Sequence, residues 1–84
     1  MSETSLESWL RLQPQLGFLQ RQVYELIANS PGGLTCVEVE EILHMRHQTA
    51  SARINELAGY GLIRIAGRAW NGETHRHIAM YQKS

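Results

Sequence analysis

The feature that most limits how this chain can fold is a change of period at Gly59-Tyr60-Gly61. Before it, apolar residues recur every three or four positions, as in helices that bury one face; after it, apolar and charged residues alternate, as in strands. Ala50, Ile54, Leu57 and Ala58 line one side of a segment over about 47–60. Just upstream, Thr35-Cys36-Val37-Glu38 has the pattern of a capping box, and Val39, Ile42 and Leu43 follow it on helical spacing. This predicts a short helix, then a tight turn at His44-Met45-Arg46, then the longer helix. The two glycines supply the stop that ends the second helix.

Upstream of Ser30-Pro31-Gly32-Gly33, which must break a helix, Leu16, Leu19, Val23, Leu26 and Ile27 predict a helix over about 15–29. A further capping box, Thr4-Ser5-Leu6-Glu7, opens a short amphipathic helix carrying Leu6, Trp9 and Leu10, which Pro14 terminates. Downstream, 62–66 and 77–81 read as strands, with Trp70-Asn71-Gly72-Glu73 between them as the hairpin signal, because Asn and Gly both tolerate positive φ. The expected architecture is mainly α with a C-terminal β-hairpin. Residues 1–14 form an accessory helix and 15–84 a single domain.

With 84 residues, such a chain holds one small core and has little room for an enclosed catalytic site. No Ser/His/Asp set, paired carboxylates or phosphate-binding glycine loop appears, so an enzyme is not expected. The one cysteine, Cys36, cannot make an internal disulfide; burial as a small hydrophobe in a reducing cytoplasm is the expectation. No signal-like or membrane-spanning apolar run is seen. His44, His47, His75 and His77 have spacings that occur in ligand sets, but nothing in the sequence brings turn and hairpin together. Neither a metal nor another cofactor is expected.

Formal net charge is zero, which by itself argues against a nucleic-acid partner. The balance is uneven, however. Residues 1–43 set Arg11 and Arg21 against Glu3, Glu7, Glu25, Glu38, Glu40 and Glu41, leaving −4. Residues 44–84 set Arg46, Arg53, Arg64, Arg68, Arg76 and Lys83 against Glu56 and Glu73, leaving +4, and hold all four histidines. Such a dipolar chain can meet a polyanion in one orientation, since the near-side field dominates within a Debye length of ~8–10 Å.

The element order, with Thr49-Ala50-Ser51-Ala52-Arg53-Ile54-Asn55-Glu56-Leu57 leading to Gly61-Leu62-Ile63, resembles the winged helix-turn-helix of MarR-like regulators and small phage or prophage winged-helix proteins. The resemblance covers about 17–82. It differs where such regulators often carry Arg directly after the Ser: here Ala52 stands there and the arginine is Arg53. It implies a small transcriptional regulator that binds double-stranded DNA, with the helix over about 47–60 in the major groove and the hairpin over about 62–82 as the wing. His47, Gln48, Thr49, Ser51, Arg53 and Asn55 become the base contacts, and Arg46, Arg64, Arg68, Trp70, Asn71 and Arg76 the phosphate or wing contacts. Leu6, Trp9 and Leu10 are candidate homodimer contacts. The alternative is a protein-interaction module on the same fold, its partner on the acidic face.

Overall fold

The computed structural model describes residues 16–84. The proposed N-terminal helix, with the dimer contacts Leu6, Trp9 and Leu10, lies outside the described residues. The described chain runs α1 (Phe18–Ala28), β1 (Leu34–Thr35), α2 (Cys36–Leu43), α3 (His47–Gly59), β2 (Ile63–Asn71) and β3 (Arg76–Lys83). Three helices thus accompany one antiparallel three-stranded sheet of order β1-β3-β2.

One core joins these elements. Val23, Tyr24 and Ile27 of α1, Val39 of α2, and Ala50, Ile54 and Leu57 of α3 meet Leu34, Leu62 and Ile63 from the sheet side, all buried. Burying side chains of this size is worth ~1.5–3 kcal/mol each, which offsets the ordering cost of a small chain. The helix stripes are narrower than the periodicity implies. Leu19 is 37% and Ile42 51% exposed, Ala58 faces solvent, and Tyr24 takes a core place that the spacing had not assigned. In α2 only Val39 is fully enclosed because an eight-residue helix turns a single narrow side to α3.

The local stop and start signals act through hydrogen bonds. Glu38 N–H donates to Thr35 Oγ1 at 3.2 Å and Thr35 N–H to Glu38 Oε1 at 2.9 Å, completing the capping box of α2. His44 takes the left-handed conformation (φ 55°), and Met45 N–H donates back to the Glu40 carbonyl at 3.0 Å. The chain reverses there, so that Arg46 becomes the N-cap of α3. At the far end of α3, Leu62 N–H donates to the Leu57 carbonyl and Gly61 N–H to the Ala58 carbonyl, with Gly61 at φ 78°. These paired bonds form a Schellman close, and the positive φ explains the glycine.

Two expectations about the sheet need correction. First, β1 is a strand that periodicity did not reveal: Leu34 pairs with Tyr81 and Thr35 with Met80, so the hairpin has a third strand along one side. Thr35 ends that strand and caps α2, so the sheet delivers the chain directly into the helix. Second, Asn71-Gly72 does not form a two-residue turn. The strands are longer than 62–66 and 77–81, and residues 72–75 lie between them. Neither Asn71 nor Gly72 has a positive φ; His75 does, at 55°. Asn71 Oδ1 instead accepts from Glu73 N–H at 2.9 Å and Thr74 N–H at 3.3 Å, so its side chain builds the turn. A register shift between Ile65 and Gly67 bends β2 midway.

Two glycines with positive φ give a test of this packing. At Gly33 (φ +90°), an added Cβ meets Met80 Cε at 3.0 Å and the Tyr81 carbonyl at 3.4 Å, whereas at Gly61 (φ +78°) it meets open space. Gly61→Ala is expected to cost ~1–2 kcal/mol from backbone strain alone, and Gly33→Ala more than that, because the β1–β3 contact must also give. Urea denaturation of both variants checks this; equal losses would contradict the packing of Gly33 against β3.

Candidate nucleic-acid interface

The burial of Ala50, Ile54 and Leu57 fixes how α3 is rotated. At 100° per residue, Gln48, Ala52 and Asn55 then lie opposite the core, with His47 and Ser51 on one flank and Thr49, Arg53 and Glu56 on the other. Gln48 and Asn55 are exposed, as are Arg46 and His47; Thr49, Ser51 and Arg53 are half-buried. Gln48 and Asn55 thus present amide groups to solvent along one row, about two turns apart.

Arg53 is placed differently from a free reader. Its Nε donates to Glu56 Oε1 at 2.6 Å and its second guanidinium nitrogen to Glu56 Oε2 at 2.9 Å. Gln20 Nε2 of α1 also donates to Glu56 Oε1, at 2.8 Å, while Gln20 Oε1 accepts Gly17 N–H at 2.9 Å. This network ties the flank of α3 to the first turn of α1. The Arg53 hydrogen bonds hold the Glu56 carboxyl below its ordinary range, helped by Gln20, and the same contact raises Arg53.

Among the described residues, Arg53–Glu56 and His47–Glu40 are the two acid–base side-chain pairs in contact. Arg46, Arg64, Arg68 and Arg76 are exposed and in neither pair. Arg64 makes a long side-chain contact with Gln82 across the strands, at 3.4 Å. Trp70 is 58% exposed and stacks edge-on against His77, with ring centroids 5.3 Å apart, and against His75 at 6.2 Å. The distal half of the hairpin does not stand clear of the helices. A cleft of about 270 Å³ has Cys36 and Glu40 of α2 and His47 of α3 on one wall, and Asn71, Thr74 and Arg76 of the hairpin on the other. The first turn of α3 and the tip of the hairpin therefore open on the same hollow.

On the helical wall of that cleft, three side chains converge that sequence reasoning did not group. Cys36 Sγ–H donates to Glu40 Oε2 at 3.3 Å, His47 Nδ1 lies 2.9 Å from the same oxygen, and Sγ and Nδ1 are 3.9 Å apart. Cys36 is half-buried against the core, short of the full burial expected of it. Its thiol is pushed up to about 12, chiefly by burial, then by the hydrogen bond to Glu40 and the charge of that carboxylate. The arrangement does not activate a nucleophile, since a relay needs the two imidazole nitrogens to serve different partners, and here Nδ1 faces both. The available signal was the i, i+4 spacing of Cys36 and Glu40, with His47 beyond the turn.

No protein-family model, curated protein or solved structure matches the chain. Among the described residues, no helix is long and apolar enough to cross a membrane.

The Glu56 network makes a pH-dependent prediction. A carboxyl held low in the folded state adds stability above its unfolded range, and that stability is lost as pH falls through the folded value. Glu56→Gln is therefore expected to lower stability by up to ~1 kcal/mol at pH 7, the value being small because the pair is partly exposed and screened. The gap to the parent should close as pH falls through and below the ordinary carboxylate range. Melts from pH 3 to 7 check it; a gap that is constant or widens toward acid would contradict the network.

Proposed function

We propose that this domain binds duplex DNA as a winged helix-turn-helix, with α3 entering the major groove and the β2–β3 hairpin serving as the wing. The observation that carries this reading is the common opening of α3's first turn and the hairpin tip onto one cleft, with exposed Arg76 in its lining and exposed Arg46 directly before His47 in the chain. In the winged fold, groove-reading helix and wing lie side by side in this way. A helix N-terminus with Arg46 at its cap also favours phosphate, because free N–H groups and the dipole both attract anions.

Within this reading, Gln48 and Asn55 supply the base contacts. Each has a donor and an acceptor that match adenine N6 and N7. Ser51 lies beside them, and Thr49 sits on the opposite flank. Arg53 serves mainly to brace α3 against α1 through Glu56, and it reads a base only by giving up that pair. Arg46, Arg64, Arg68 and Arg76 neutralise phosphates. Asn71 shapes the wing turn, and Trp70 stiffens it against His77. A cytoplasmic transcriptional regulator is the role this surface suits.

Fluorescence anisotropy with random-sequence duplex across a salt series tests the proposal. Log affinity is expected to fall linearly with log salt, and Arg68→Ala to reduce the slope by about one while weakening all sequences alike. Gln48→Ala and Asn55→Ala should leave that slope unchanged and relax preference at single positions in a selected site, by ~1–3 kcal/mol each. No binding at low salt would overturn the reading. The remaining candidate would then be a protein partner on the acidic helices, where Glu25, Glu38 and Glu41 are exposed.

A further inference from the structure

The Cys36–Glu40–His47 cluster offers three donor atoms of different chemistry from two helices, all within 4.8 Å of one another. In the metal-free chain Glu40 Oε2 lies between the sulfur and the imidazole nitrogen, which are themselves 3.9 Å apart. A metal centre would use the same three atoms. Zinc bonds of ~2.0–2.3 Å at tetrahedral angles require donor atoms ~3.3–3.6 Å apart. The separations here are 2.9, 3.3 and 3.9 Å, so the triangle lies within a few tenths of an ångström of that shape on every side.

We propose that Cys36 Sγ, Glu40 Oε2 and His47 Nδ1 bind a divalent transition-metal ion of the zinc type, with a fourth position open to the cleft. The donor set selects this class. A thiolate and an imidazole suit zinc or cobalt, whereas magnesium and calcium take oxygen ligands in larger numbers. The frame is largely built. Cys36 and Glu40 lie one turn apart on α2, and the left-handed His44 returns the chain so that His47, first in α3, comes back over Glu40. Half-burial of Cys36 and Glu40 limits competition from water, and the exposed His47 side chain, at 70%, leaves an entry path.

The charges and protons balance. In the metal-free site the thiol is protonated and donates to Glu40 Oε2, which also lies 2.9 Å from His47 Nδ1. Metal binding releases the sulfur proton to solvent, and the imidazole ligates through Nδ1 without a proton there; thiolate and carboxylate then neutralise the dication. The fourth position faces the wall formed by Asn71, Thr74 and Arg76, where water or a small anion completes the coordination. The bound ion would clamp the first turn of α2 to the first turn of α3. The site stands independently of whether the domain binds DNA.

Cobalt(II) titration of the full 84-residue chain, under a non-coordinating reductant, tests this by electronic spectroscopy. The expected result is saturation at one ion per chain, with a thiolate-to-cobalt charge-transfer band and the strong visible bands of four-coordinate cobalt. Zinc should displace the cobalt and bleach both. Cys36→Ser should abolish the charge-transfer band, and Glu40→Gln and His47→Asn should each weaken binding by at least ~10-fold. His75→Asn and His77→Asn should change it less than about twofold, a margin under ~0.4 kcal/mol. Circular dichroism of each metal-free variant verifies folding, and should Cys36→Ser fail that check, His47→Asn at its exposed position carries the test. Binding without a charge-transfer band in the parent chain would overturn the site. So would affinity that follows His75 or His77 and ignores His47.

Discussion

The packing of Ala50, Ile54 and Leu57 beneath α3 is the constraint on which the rest of this structure depends. These three side chains are almost wholly enclosed by α1, α2 and the start of β2. Their burial sets the rotation of α3, and the rotation decides which polar residues face outward. It also places the last turn of the helix where Gly61 can reverse the chain and send Leu62 and Ile63 back into the same core. Disturbing that stripe would therefore alter the outward row, the entry to β2 and the cleft together.

The two flanks of α3 are used in different ways. On the α1 side, Arg53, Glu56 and Gln20 form a hydrogen-bonded brace that fixes the helix in place. On the α2 side, His47 turns toward Glu40 and Cys36, beside the hairpin tip. The outward row between these flanks carries the amides and is the part left free to meet a ligand. This division accompanies the charge separation of the chain: exposed Glu25, Glu38 and Glu41 lie on the first two helices, while exposed Arg46, Arg64, Arg68 and Arg76 lie on α3's cap and the hairpin.

What was legible in the sequence was what neighbouring residues determine. The Thr35–Glu38 capping box, the reversal at residues 44–46, the α3 stripe apart from Ala58, and the glycine close are local patterns with local causes, and each stands in the structure. What escaped depends on partners far along the chain. β1 is two residues long, too short for any period, and exists because Tyr81 and Met80 pair with it. Asn71-Gly72 carried a strong turn signal, yet the Asn71 side chain proved to be the turn-forming group, and the loop lengthened accordingly. Arg53 reads as a base contact because spacing alone does not show that it and Gln20 converge on Glu56. The Cys36–Glu40–His47 cluster needs the helix, the left-handed turn and the next helix to be in place before its members meet.

The central claim is that α3's outward row and the hairpin form one nucleic-acid surface. Amide chemical-shift mapping while duplex DNA is titrated in at low salt tests it most directly. The largest shifts are expected at residues 46–55 and 68–76, with α1 and the exposed face of α2 little affected. Shifts confined to the acidic helices, or none at all, would contradict it.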